Sequence, residues 1–240
     1  MRVAAVQYKA PKGDKSAALR EIESLVRLAP PTDLVVLPEL AATGYLFDDR
    51  AHVTTIAENP DGELFQLLSK LAAERRCWMV CGFVERAADR LFNSALVVQP
   101  DGTLAFTYRK TLLFDADVPW ASPGDSGYRV FTTDAGTFTV GICMDLNDDQ
   151  FTDWCRESNP HAIAFPTNWI EEGEPTWPYW AWRLEGYPGA LVAANTWGPE
   201  REVTFSGKSA VLQRLVIRAA APAEGNRVIA AKVLTDRVSI

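Results

Sequence analysis

Along the chain, runs of four to eight apolar residues alternate with stretches in which apolar positions recur every three or four residues. The runs predict strands at Val3–Gln7, Leu34–Leu37, Trp78–Val84, Ser94–Val98, Leu104–Arg109, Phe138–Ile142, Ala162–Phe165, Ala190–Ala194, Ala210–Gln213 and Val228–Leu234. The longer period predicts two amphipathic helices. Lys15–Leu28 puts Ala18, Ile22, Leu25 and Val26 on one face, and Glu63–Arg76 does the same with Leu64, Leu67, Leu68 and Leu71. Asn59-Pro60 breaks the preceding element, and Asp61-Gly62 leads into the second helix. Asp101-Gly102, lying between two strand-like runs, is a strong hairpin signal. A β-α-β start with antiparallel strands in the middle predicts mixed sheets. About ten strands fit two sheets sandwiched between helices better than one open sheet. No repeat, low-complexity tract or Gly/Ser/Pro-rich linker interrupts the pattern, so one α/β domain over residues 1–240 is expected.

Composition narrows the class of function. The chain has 240 residues, 48% of them hydrophobic and 23% charged, which suits a globular protein with a real core. With 24 Lys and Arg against 31 Asp and Glu, the formal charge is −7. That balance argues against nucleic acid or an anionic membrane as partner, since both need a basic face. The opening MRVAAVQY lacks an apolar signal region, and no window approaches the ~20 apolar residues of a membrane span. A soluble, cytoplasmic protein is expected. Cys77, Cys81, Cys143 and Cys155 show no C-x-x-C or zinc-site spacing, and His52 and His161 are the only histidines. Neither a metal site nor a structural disulfide is predicted, and most of the thiols are expected to be small buried hydrophobes.

Reactive groups in α/β architectures gather beyond the carboxyl ends of strands. Three such ends carry chemistry here: Leu34-Val35-Val36-Leu37-Pro38-Glu39 stops on a carboxylate, Phe106-Thr107-Tyr108-Arg109-Lys110 on an ammonium, and Phe138-Thr139-Val140-Gly141-Ile142-Cys143 on a thiol. In the last run, strict alternation places Thr139, Gly141 and Cys143 on one face and Phe138, Val140 and Ile142 on the other. Asp148–Trp154 looks like a helix start capped by Asn147 or Asp148. A thiol near a helix N-terminus and a lysine is expected to have a lowered pKa. A carboxylate beside it is able to take the thiol proton and pass it to a leaving nitrogen. Singly, each residue has an ordinary explanation as a packed thiol, a strand cap or an edge charge.

The surroundings of these residues resemble the nitrilase superfamily of carbon–nitrogen hydrolases over nearly the whole chain. VAAVQY resembles the family's first strand. LVVLPELAATGY resembles its first motif, YRKTLLFDADVP its second and GICMDLN its third. AFPTNW, LVAANTWGPE and FSGKSAVL follow in the family's order. The resemblance implies a four-layer α-β-β-α sandwich with mixed sheets, a homodimer, and no metal or organic cofactor. It also implies a mechanism. Glu39 deprotonates Cys143, which attacks an amide carbonyl. Lys110 and the backbone N–H of Met144 stabilise the oxyanion, and a thioester forms and is hydrolysed. The implied partner is a small-molecule or terminal amide, with Met144, Asp145, Asn168 and Trp169 as substrate contacts.

The match departs from the pattern in one place. Many relatives carry a second glutamate beyond the lysine, whereas LFDADVPWASPGD is short and has no Glu. Asp115 or Asp117 is available as a stand-in, but both are expected to be ordinary turn residues. Met144-Asp145-Leu146-Asn147 lacks the Trp-Glu of true nitrilases and is more similar to amidases, most of all to the N-terminal amidase branch. Asp145 is open to two readings, a contact for a substrate amine or a cap for the following helix. Of Trp169, Trp177, Trp180, Trp182 and Trp197, Trp169 is expected to line the pocket with Asn168, and a helix over Trp177–Trp182 to wall it or meet a second subunit; the alternative is that they simply fill core. Arg183 and Glu185 form a candidate structural ion pair. The leading expectation is a cysteine-dependent amidohydrolase. The alternatives are a nitrile or N-carbamoyl hydrolase of the same family and a catalytically silent scaffold.

Overall fold

The computed structural model describes residues 1–170, 173–214 and 216–235. Its strands are β1 (Arg2–Gln7), β2 (Leu34–Val36), β3 (Trp78–Ala87), β4 (Arg90–Val98), β5 (Leu104–Arg109), β6 (Phe131–Thr133) and β7 (Gly136–Val140). They continue as β8 (Ala162–Thr167), β9 (Ala190–Asn195), β10 (Trp197–Glu200), β11 (Val203–Ser206), β12 (Ala210–Gln213), β13 (Val216–Ala220) and β14 (Arg227–Lys232). The helices are α1 (Lys15–Leu28), α2 (Arg50–Ile56), α3 (Glu63–Arg75), α4 (Asp149–Ser158) and α5 (Thr176–Arg183), with a 3-10 helix at Cys143–Asn147.

One six-stranded sheet runs β14-β1-β2-β3-β4-β5 and the other β13-β12-β9-β8-β7-β6. Each has three parallel strands at its centre, β1-β2-β3 and β7-β8-β9, flanked by antiparallel partners. The central runs, such as β2, β8 and β9, are buried at every position because both faces of each sheet are covered there. Ala4 and Val6 of β1 pack with Ile22 and Val26 of α1 and Leu68 of α3, while Val3 and Ala5 point into the space between the sheets. There they meet Phe138, Val140, Ala164 and Val192 of the second sheet. The outer face of that sheet, with Ile163, Phe165 and Leu191, is covered by Phe151 and Cys155 of α4 and Trp180 of α5. The layers are therefore α-β-β-α.

Local chemistry explains the boundaries. α1 matches its predicted span, and the Asp14 carboxylate accepts from the Ala17 N–H at its start. Asp148 is the cap of α4, accepting from the Gln150 N–H. The Asp101-Gly102 hairpin forms, with Gly102 at φ +87°. Four strands and one helix were not expected. β6 is a three-residue edge, β10 and β11 are four residues each with Pro199 in β10, and β13 is an exposed edge with no buried alternation. α2 buries only Val53, and the Asp49 cap on the His52 N–H sets its start. The four cysteines are buried and unpaired by disulfides. No described helix is long and apolar enough to cross a membrane.

Candidate active site

Glu39 stands three residues past the end of β2. Its loop is tied to β3 by bonds from Gly82 N to Pro38 O and from Ala41 N to Gly82 O, each 3.0 Å. A Cβ on Gly82 would lie 2.4 Å from the Glu39 Cα, so only glycine lets the strand and the loop pack this closely. Lys110 closes β5. Its backbone is fixed by Lys110 N to Asn93 O (2.9 Å) and Gly124 N to Lys110 O (2.8 Å). Next to it, Arg109 holds the buried Glu85 carboxylate at 2.6 Å, which anchors the same strand end across the sheet.

Cys143 departs from the strand that leads to it. β7 ends at Val140, and Cys143 adopts φ +44°, a left-handed conformation uncommon for a side chain with a Cβ. This corrects the alternation predicted for the run. The turn brings Cys143 into the inter-sheet cluster with Phe138, Val140 and Ile142. The sulfur-bearing residue is 6% exposed and forms part of the wall of a cavity of about 180 Å³.

Glu39 and Lys110 meet directly, and the charges of both act on the Cys143 thiol. Lys110 Nζ donates to Glu39 Oε1 at 2.8 Å, and Asn93 Nδ2 donates to the same oxygen at 2.7 Å. The Asn168 N–H donates to Glu39 Oε2 at 2.8 Å, and Asn168 Nδ2 to the Glu39 carbonyl at 3.0 Å. Glu39 and Lys110 are fully buried at their side chains. Burial pushes the Glu39 carboxyl up, the Asp117 charge adds to that, and Lys110 and Asn93 oppose it. For Lys110, burial pulls downward, but the Asp117 and Glu39 carboxylates overcome it and hold the ammonium well above the usual lysine range.

The thiol does not behave as the sequence suggests. Burial and the Glu39 charge push Cys143 up to about 12, against the opposing pull of Lys110, Thr167 and the Asn168 N–H. The expected lowering fails for two physical reasons. Desolvation penalises the thiolate, and the 3-10 helix separates Cys143 from the α4 N-terminus at Asp149. The resting Cys143 side chain is therefore a neutral thiol.

Asp117 overturns its expected role as a turn residue. It is fully buried, accepts from Lys110 Nζ at 2.6 Å, Phe114 N at 3.1 Å and Asn93 Nδ2 at 3.2 Å, and so holds the far side of the ammonium. Asp115 is exposed, as a turn residue would be. Sequence reasoning missed Asn93, because the predicted strand began one residue later. Its signal was a lone amide between Phe92 and Ser94 in an otherwise apolar run.

The substrate contacts divide. Met144, Asn168 and Trp169 line the cavity, together with Tyr45, Phe114 and Tyr179. Asp145 does not reach it. Its carboxylate is buried and accepts from Ile142 N (2.8 Å), Tyr108 OH (2.7 Å), Thr111 N (2.9 Å), Thr111 Oγ1 (2.7 Å) and Leu112 N (3.0 Å). With its lone pairs occupied it ties the Cys143 turn to the segment after Lys110, and α4 is capped by Asp148 instead. The tryptophans also part company. Trp180 is core, Trp182 is 59% exposed, Trp177 donates to Lys208 O and Trp197 to Asn226 Oδ1. Arg183 pairs with Asp149 at 2.7 Å, not with Glu185.

A two-sheet α-β-β-α sandwich with a carboxylate, an ammonium and a thiol meeting at strand ends defines a class of hydrolase, and comparison with known proteins agrees. The family profile described as Carbon-nitrogen hydrolase matches residues 2–239, and the chain belongs to that family, within the nitrilase superfamily. It is 35% identical over 217 residues to a nitrilase of Pyrococcus abyssi, covering 88% of this chain and 80% of the relative. It is 29% identical over 167 residues to the protein N-terminal amidase of Saccharomyces cerevisiae, a match that spans 58% of this chain and 36% of the yeast protein. Among solved structures, an N-terminal amidase crystallised with an Asn-Glu-Ala peptide shares the fold with a TM-score of 0.85 at 17% identity, over 97% of each chain. An amidase from Nesterenkonia sp. does so with a TM-score of 0.84 at 18% identity, over 98% of this chain and 91% of that one. The protein is a cysteine-dependent amidohydrolase acting on carbon–nitrogen bonds other than peptide bonds.

Proposed function

We propose that Cys143 is the nucleophile of this amidohydrolase, Glu39 its general base and acid, and Lys110 with the Met144 N–H its oxyanion site. The observation that carries the reading is the thiol at the cavity wall with the Lys110–Glu39 pair buried beside it. Glu39 takes the Sγ proton as sulfur attacks the amide carbon. The negative charge on the former carbonyl oxygen is met by Nζ of Lys110 and by an N–H in the first turn of the 3-10 helix, where backbone donors lack intrahelical acceptors. The C–N bond breaks as nitrogen receives the proton from Glu39, leaving a thioester. Glu39 then deprotonates water. The water oxygen adds to the thioester carbon, and sulfur departs with the proton to release the acid. The favoured substrate is a small or terminal amide, as the names of the amidase relatives suggest.

Ammonia release from a panel of amides, nitriles and N-carbamoyl amino acids tests this reading. Amides are expected to react, and Cys143→Ala is expected to abolish release while far-UV circular dichroism stays unchanged. Residual near-normal release in that variant would reject the assigned nucleophile. We also propose a homodimer, supported by family membership and by the outward-facing Trp182 on α5. Light scattering is expected to give twice the 26.5 kDa chain mass, and a clean monomer would remove the proposal.

A further inference from the structure

The cavity beside Cys143 is charged on one side only. Among the described residues that line it, Glu174 is the sole bearer of a formal charge. The other polar groups are neutral; of these, Tyr179 OH donates to Asn147 Oδ1 at 2.9 Å, and Asn168 Nδ2 donates to the Glu39 carbonyl. Glu174 itself is exposed, just ahead of α5, with no hydrogen bond or ion pair to any described residue. Several surface carboxylates away from the cavity are paired: Asp149 is held by Arg183, Asp48 by Arg201 and Glu200 by Lys12. Others, such as Asp115, Glu157 and Glu202, are as free as Glu174 but do not line it. Behind the sulfur, the Lys110 ammonium is already shared between Glu39 and Asp117.

A bound molecule thus meets a negative field with no described cation in the lining to balance it. Much of the remaining wall is apolar or aromatic, from Phe114, Ile170, Trp169 and Tyr45, so the field is less screened than in open water. An ammonium group finds an unpaired carboxylate to meet. A carboxylate meets a like charge there and no described cation. We infer that this enzyme selects amides that carry a protonated amine within reach of Glu174 and discriminates against amides that carry a carboxylate there. The inference rests on the reading of Cys143 as nucleophile and assigns Glu174 as a substrate-binding residue that sets specificity.

Three amides of similar length test it: β-alaninamide with a cationic end, butyramide with a neutral end and succinamate with an anionic end. Ammonia release is measured for wild type, Glu174→Gln and Glu174→Lys, with each kcat/KM expressed relative to butyramide in the same protein. Wild type is expected to favour β-alaninamide by about tenfold or more and to disfavour succinamate, the scale of one partly screened charge pair. Glu174→Gln is expected to erase the preference, chiefly through KM, and Glu174→Lys to invert it. A wild-type preference for succinamate, or a cation preference that survives in Glu174→Gln, overturns the inference. Failure of the functional reading looks different, since ammonia release would then persist in Cys143→Ala. If none of the three amides is turned over, alkylation of Cys143 by 2-bromoethylamine against iodoacetate gives the same ratio. A ratio unchanged between wild type and Glu174→Gln then rejects the inference, and a ratio that falls in the variant upholds it.

Discussion

Glu39→Gln is expected to lower amide turnover by about 10³- to 10⁴-fold while leaving Cys143 open to alkylation by iodoacetamide. The loss lies at the upper end for one acid–base group because the same carboxylate serves both half-reactions. A thiol held near 12 contributes almost no thiolate at neutral pH, so its proton must leave as sulfur attacks. Glutamine offers no site for that proton and none to return to the departing nitrogen. Alkylation needs no proton on a leaving nitrogen. It is further helped by loss of the Glu39 charge, which itself raises the thiol pKa. Glutamine also turns an N–H toward donors already present, since Lys110, Asn93 and the Asn168 N–H all point at the carboxylate. Thermal unfolding must accompany the rate measurement for that reason. A folded variant with near-normal turnover removes Glu39 from the mechanism.

Asp117→Asn is expected to reduce kcat by about 10²-fold, the scale of a misplaced catalytic group, and to move the acid limb of the pH–rate profile to lower pH. Three donors converge on the Asp117 carboxylate: Lys110 Nζ, Asn93 Nδ2 and Phe114 N. Asparagine has one acceptor oxygen and presents an N–H₂ to the rest, so the lysine loses its fixed position. The direction of the pH shift follows from Glu39. Its basic form is lost as pH falls through its pKa, and the Asp117 charge is one of the influences that raise that pKa. Without that charge the base remains ionised to lower pH. A variant that merely loosened the loop would lower the rate without moving the limb, so an unmoved limb rejects Asp117 as a positioning residue.

Much of the arrangement was legible in one dimension. Glu39 and Cys143 each follow an apolar run and Lys110 follows a hairpin strand, and side chains beyond strand ends escape the sheet interior. The ten predicted strands are all present, and the central ones read most clearly, because runs buried on both faces must be apolar at every position, as Val3 to Val6 and Leu34 to Val36 are. Elements without that pressure went unseen. β13 is exposed along its length, and α2 contributes one buried side chain. Asp117 was unreadable for a different reason. A turn aspartate and a buried aspartate share the same local sequence, and only the approach of Lys110 and Asn93 separates them.

By itself the sequence determined the layers, the strand-end positions of the three reactive groups and the family, since local periodicity and contiguous motifs are properties of neighbours along the chain. The tertiary structure alone decided the charge balance of the site. Residues as far apart as Glu39 and Asn168 share hydrogen bonds there, and the left-handed turn at Cys143 departs from strand alternation. It also decided that the thiol is pushed up instead of down, because the cost of burying a charge depends on everything that surrounds it and not on the helix that follows.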